Sequence, residues 1–160
     1  YDRVVTVAHS MGTLFAINEA VEGRADALFL LNTPLRIRLT RRLFTNPVRG
    51  MLGLTGNPLA AAARDAYGVA IDYNYGWPAR YIELFAEIRR VRKIVHRLAC
   101  PTRVFLSGKD EMVSPSSASF FESPDCCELT VLPKSGHYYY TPGDRRYIVD
   151  EFEKFLSQFI

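Results

Sequence analysis

The sequence predicts an α/β domain: a parallel sheet of about four strands with flanking helices, plus an inserted helical cap. Three observations carry this. Val4, Val5 and Val7 form a β-branched run, as a strand buried on both faces does, and Ala27 to Leu31 is a second continuous apolar run. Between them apolar residues recur at helical spacing, so strand, helix and strand make a βαβ unit, which requires parallel strands. Third, the chain passes from the first strand into the helix through Ala8-His9-Ser10-Met11-Gly12. A serine between a small residue two before and a glycine two after suits a very tight strand-to-helix turn. Its backbone is strained there, and small neighbours are needed because bulky ones would collide with the adjacent strand and helix. The turn pushes the hydroxyl out at the carboxyl edge of the sheet, above the positive end of the helix.

The elements follow in order. The first helix is predicted to run to about Glu22, with Leu14, Ile17 and Val21 on one face and Met11, Phe15 and Ala20 on a neighbouring one. Gly23 suits the C′ position. Asn32-Thr33-Pro34 closes the second strand, and the next strand, Thr102 to Ser107, is introduced by Cys100-Pro101. The roughly 65 residues between Pro34 and Cys100 far exceed what a crossover helix needs. Residues 35–97 are therefore read as a cap, and residues 1–34 with 98–160 as the core.

Three helical pieces are predicted inside the cap. Thr40 to about Leu52 is basic and interrupted by Pro47, and Pro58 to Tyr67 is alanine-rich between Gly56 and Gly68. In the third, Pro78 to Leu98, apolar residues Tyr81, Leu84, Phe85, Ile88, Val91, Val95 and Leu98 recur every three or four positions. Its Glu83 and Glu87 precede Arg89, Arg90, Arg92, Lys93 and Arg97, an order that complements the helix dipole and reads as a solvated face. The aromatic loop Asp72 to Pro78 either lines a substrate entrance or pins the cap to the core. Tyr73, Tyr75 and Trp77 are its candidate substrate contacts.

Beyond the third strand come Gly108-Lys109-Asp110, a short helix from Pro115 to about Phe121, and a strand from Cys127 to Leu132. In that strand Cys127, Leu129 and Val131 alternate with Glu128 and Thr130, the pattern of a sheet edge with one wetter face. Pro133-Lys134-Ser135-Gly136-His137 follows. The last helix opens on Thr141-Pro142-Gly143-Asp144, an N-cap, a proline at N1 and an acid at N3, with Ile148, Phe152, Phe155, Leu156 and Phe159 as its buried stripe.

The 160 residues suit one domain with a sizeable core. A net charge of +3 is too mild to imply nucleic acid, and no apolar run approaches the roughly 20 residues of a membrane span. Cys100, Cys126 and Cys127, odd in number with an adjacent pair, are no disulfide framework. Reduced thiols, and with them a cytoplasmic location, are expected. The chain opens on Tyr1 and enters a buried-type strand almost at once, so it is read as a fragment lacking its N-terminal part and any signal peptide there. Alone, such a fragment is expected to be inactive, with an open apolar strand edge through which two copies self-associate.

Ser10, Asp110 and His137 each lie on a loop just after a predicted strand, and a parallel sheet gathers those loops at one edge. A serine hydroxyl is a poor nucleophile until a base takes its proton. Histidine does this near neutrality, and a carboxylate orients the imidazole and stabilises its charged form.

Ala-His-Ser-Met-Gly is similar to the nucleophile elbow of lipases and esterases, with alanine for the usual first glycine. Ser-Gly-Lys-Asp-Glu-Met-Val resembles the acid loop of α/β-hydrolases, and Ser-Gly-His their histidine loop. Essentially the whole chain resembles the C-terminal half of such an enzyme, its strands matching the fifth to eighth of the usual eight. The resemblance implies a serine hydrolase in which Ser10 attacks, His137 is the base and Asp110 the acid. The oxyanion hole would use the Met11 backbone N–H and a second N–H from a loop that this sequence does not contain. The implied substrate is a small-molecule acyl ester such as an acylglycerol, with no cofactor and no metal. Thioester cleavage, N-terminal peptide cleavage and a non-catalytic hydrolase-like module are the alternatives.

Competing residues have other roles by the same likeness. His9 packs behind the elbow, His96 faces solvent on the cap helix, and Glu111 points away from the acid loop. These separate roles leave the histidines unable to form a metal cluster. Some family members carry the acid after the preceding strand, but here that position is Asn32-Thr33-Pro34, with no carboxylate. A serine nucleophile argues against epoxide hydrolases and dehalogenases, which use aspartate.

Overall fold

A computed structural model describes residues 2–38 and 77–159, with the backbone alone for residues 77–81. Its apolar runs form four parallel strands, β1 (Val5–His9), β2 (Ala27–Leu31), β3 (Thr102–Ser107) and β4 (Cys127–Leu132), side by side in that order. Val5 stands beside Ala27 and His9 beside Leu31; Leu28 stands beside Thr102, and Ser107 beside Leu132. Parallel strands in this register bring the residues that follow them to one edge of the sheet.

Helices cover both faces. On one side α1 (Gly12–Val21) and α2 (Trp77–Arg92) pack together, and the Asn18 amide donates to the Glu87 carboxylate between them. Leu14, Ile17, Leu28, Leu30, Val104 and Leu106 form the core of this side. Ile88, Val91 and Val95, which the expected boundary assigns to the cap, are buried in the same cluster. On the other side α3 (Pro142–Leu156) sets Phe155 and Phe152 against Phe29, with ring centroids 5.8 and 5.2 Å away. Phe29 and Phe155 are buried and Phe152 is half-buried; burying a phenylalanine side chain fully contributes about 1.5–3 kcal/mol. Arg103 on β3 ties α3 down: its guanidinium lies 4.8 Å over the Phe105 ring and meets Glu151 at 2.9 Å.

Helix ends follow local chemistry. Gly23, at φ 76°, closes α1, a left-handed conformation that glycine adopts without strain. The Thr141 hydroxyl accepts from the Asp144 N–H at 3.1 Å and caps α3, with Pro142 next.

Four local expectations differ from what is observed. α2 stops at Arg92, and the chain continues as a 3₁₀ turn, Val95–Arg97. The N–H groups of Lys93 and Ile94 reach back only three residues, to Arg90 and Val91, so the helix tightens while Val95 and Leu98 still point inward. Pro115–Phe120 is likewise 3₁₀ rather than α-helical. Val4 and Val7 are 46% and 53% exposed instead of buried, because β1 pairs only with β2 among the described residues. On β4, Val131 is 41% exposed, since the apolar cluster reaches Cys127 and Leu129 but not Val131.

The helical pieces expected at 40–52 and 58–67, with Tyr73 and Tyr75, lie outside the described residues. Trp77 is the first residue of α2. No helix among the described residues is long and apolar enough to cross a membrane.

Candidate active site

Between β1 and α1 the chain turns on two residues, Ser10 and Met11. Ser10 sits at φ 52°, in the left-handed region, which costs a non-glycine residue about 1–3 kcal/mol. Neighbouring bonds hold it there. The Ser10 N–H donates to the Leu31 carbonyl at 2.9 Å, and the Ser10 carbonyl accepts from the N–H and hydroxyl of Thr13 at 3.0 and 2.5 Å. A methyl placed on Gly12 would meet the Ala8 methyl at 3.9 Å, an ordinary contact, so the close approach expected here leaves room for a Cβ at residue 12.

Asp110 and His137 come to the same edge from the loops after β3 and β4, and both are fully buried. One carboxylate oxygen of Asp110, Oδ1, accepts from the N–H groups of Met112 and Val113, each at 2.7 Å. The other, Oδ2, lies 2.7 Å from His137 Nδ1, and His137 Nε2 lies 2.9 Å from Ser10 Oγ. A carboxylate only accepts, so Nδ1 carries the proton and the Nε2 lone pair faces the serine hydroxyl. The three residues named from sequence thus stand in one hydrogen-bonded line.

The acid-bearing loop is braced from a second direction. Residues 36–38 run antiparallel to 112–114, with Ile37 bridging Val113, the Arg38 N–H donating to the Met112 carbonyl at 2.8 Å, and the Ser114 N–H to the Arg36 carbonyl at 2.7 Å. Gly108 is where this loop touches the histidine-bearing one. A Cβ there would come within 3.0 Å of Pro133 Cα and 3.2 Å of its carbonyl oxygen. Gly108→Ala is therefore expected to lower stability by about 1–3 kcal/mol, as overpacking does. Chemical denaturation checks this, and an unchanged midpoint would contradict it.

Around the line, Met11 presents a backbone N–H that donates to no backbone acceptor among the described residues. His9 packs its ring 5.0 Å from the His137 ring, and its Nε2 donates to the His137 carbonyl at 3.0 Å. Burial pushes the His9 imidazole below its ordinary pKa, and the neighbouring His137 adds to that. His96 is exposed. Glu111 stays out of the line, with its Oε2 buried and lacking a partner among the described residues. The three free thiols lie at the opposite ends of β3 and β4, and burial pushes the Cys127 thiol up to about 12, far from a reactive thiolate.

Comparison with solved structures bears on this arrangement. A soluble variant of monoglyceride lipase from Saccharomyces cerevisiae, with a substrate analogue, matches 98% of this chain and 62% of its own, at TM-score 0.66 and 15% identity. A structure of the metagenome-derived lipolytic enzymes LipS and LipT matches 98% of this chain and 66% of its own, at TM-score 0.62 and 15% identity. The Pyrococcus furiosus esterase Pf2001 matches 98% and 53%, at TM-score 0.58 and 17% identity. The fold is that of the α/β-hydrolases.

Within that fold the chain spans 53–66% of the length of these three structures. No family model and no curated protein matches the sequence.

One residue at this edge of the α/β-hydrolase fold has a larger place than sequence reading gave it. Asn32, noted only as a position without a carboxylate, is 1% exposed and hydrogen-bonded to His137 and to Ser107, the last residue of β3 before the loop that carries Asp110. Asparagine directly after an apolar run is the one signal that pointed there, since it tolerates the left-handed backbone that the structure shows at φ 52°.

Proposed function

We propose that this chain carries the machinery of a serine hydrolase that cleaves carboxylic esters through an acyl-serine. The observation that carries this reading is the line Ser10 Oγ, His137, Asp110, with gaps of 2.9 and 2.7 Å, at the sheet edge where the strained turn stands. That structural neighbours include an esterase and lipolytic enzymes supports the ester as the bond cleaved.

The geometry supports a route in two stages. Ser10 Oγ attacks the ester carbonyl carbon while its proton passes to His137 Nε2. The imidazolium so formed is stabilised by the Asp110 carboxylate at Nδ1. Charge developing on the carbonyl oxygen is met by the Met11 N–H and by the positive end of α1. As the tetrahedral intermediate collapses, Nε2 gives its proton to the departing alkoxide, leaving the acyl group on Ser10. Water then attacks the acyl carbon as His137 takes its proton; the bond from that carbon to Ser10 Oγ breaks, the carboxylic acid leaves, and His137 returns the proton to Oγ.

The test is turnover of p-nitrophenyl esters by the intact protein. Hydrolysis that disappears in Ser10→Ala is the expected result, and hydrolysis unaffected by that change would refute the assignment.

Residues 35–97 are proposed to form the cap that selects the acyl chain, with Tyr73, Tyr75 and Trp77 in contact with it. Remote apolar contacts bind the chain without touching the reacting carbonyl. Alanine at these positions is therefore expected to shift preference between short and long esters more than it slows a small activated ester. Equal losses on both, with a lower melting temperature, would show the aromatics to be structural.

A further inference from the structure

We infer that Asn32 is a positioning residue for His137: its carboxamide joins the loop that carries the histidine to the end of the strand from which the acid-bearing loop leaves. The inference rests on the serine-hydrolase reading above.

Asn32 stands at the end of β2, between the strand that leads to Ser10 and the strand that leads to Asp110. Its own polar atoms reach the segments that lead to Asp110 and carry His137, and the neighbouring Leu31 carbonyl reaches Ser10. Oδ1 accepts from the Ser107 N–H at 2.8 Å, where the acid-bearing loop leaves β3. Nδ2 donates to the His137 carbonyl at 3.1 Å and to the Tyr140 hydroxyl at 2.9 Å, with the Gly136 carbonyl further off at 3.4 Å. The Asn32 N–H donates to the Phe105 carbonyl at 2.8 Å, and the preceding carbonyl, that of Leu31, receives the Ser10 N–H at 2.9 Å.

The His137 carbonyl is thus held by two donors, Asn32 Nδ2 from the end of β2 and His9 Nε2 from the end of β1. A histidine loop fixed at its own carbonyl has little freedom to move the imidazole relative to Ser10. Only a carboxamide meets these demands at one position, because the partners are an N–H on one side and carbonyl and hydroxyl oxygens on the other. An aspartate would keep the bond to the Ser107 N–H but turn lone pairs toward the His137 carbonyl. Alanine would leave both sides unmatched. The left-handed φ of 52° also favours asparagine over most other residues.

The experiment compares the intact wild type with Asn32→Ala and Asn32→Asp in p-nitrophenyl ester hydrolysis. Active serines are counted by fluorophosphonate titration, so that kcat refers only to folded, reactive sites. A displacement of about 1 Å costs up to about 10²-fold, so kcat per titrated site should fall about 10–10²-fold in both variants, with KM changed less than about twofold. In a His137→Ala background, Asn32→Ala should change the residual rate by less than about twofold, because there is no imidazole left to position. Unchanged kcat per titrated site, or an equal fall in the His137→Ala background, would overturn the inference. So would loss of folded protein in both variants, which assigns Asn32 to holding the fold instead. If the wild type itself neither turns over nor titrates, the serine-hydrolase reading fails and takes this one with it. Active wild type with unaffected variants defeats the positioning role alone.

Discussion

Replacing Ser10 by alanine is expected to lower kcat of the intact protein by about 10⁴–10⁶, with the fold retained. The change removes one oxygen from a half-buried turn and leaves every backbone bond that holds the turn in place. His137→Ala is expected to cost as much, although it empties a fully buried site. Asp110 is not stranded by that loss, since its Oδ1 keeps the N–H groups of Met112 and Val113. The two changes together should cost little more than either alone, because an unactivated hydroxyl and a base without its nucleophile fail at the same step. Initial rates of ester hydrolysis, taken with near-ultraviolet circular dichroism, check both points. Full additivity would contradict a unit acting in concert.

Asp110→Asn is expected to have the next largest effect, a loss of about 10²–10⁴ in kcat. The shapes are nearly the same, and an asparagine Oδ1 still accepts from Met112 and Val113. What changes is the other atom. An amide nitrogen donates where Oδ2 accepted, so Nδ1 becomes the acceptor and the imidazole proton moves to Nε2. That atom then faces Ser10 with a hydrogen instead of a lone pair and cannot take the serine proton. A variant with unchanged melting temperature and wild-type turnover would show that Asp110 does not orient the base.

Much of this arrangement was legible in the sequence because the signals were local. Ser10, Asp110 and His137 each lie on the segment that follows a predicted strand, and strands in a βαβ pattern imply one sheet edge. The start of α3 was legible for the same reason, as Thr141, Pro142 and Asp144 state their cap within four residues. Exposure was less so. The apolar character of Val7 matches a buried strand, yet burial depends on which strands flank β1, a fact no local pattern holds. The end of α2 was hidden because a 3₁₀ turn preserves the spacing from Val91 to Val95 to Leu98. Asn32 was illegible as a clamp because its partners, Ser107 and His137, lie 75 and 105 residues away. Only the folded sheet puts one carboxamide between them.

The central claim, that Ser10 is an activated nucleophile, is met most directly by locating a covalent adduct. The intact protein is treated with a fluorophosphonate, digested, and the modified residue identified by mass spectrometry. The account predicts one adduct, on the peptide that contains Ser10, forming far more slowly in His137→Ala and absent in Ser10→Ala. An adduct on a different serine, or none under conditions in which the protein hydrolyses esters, would contradict it.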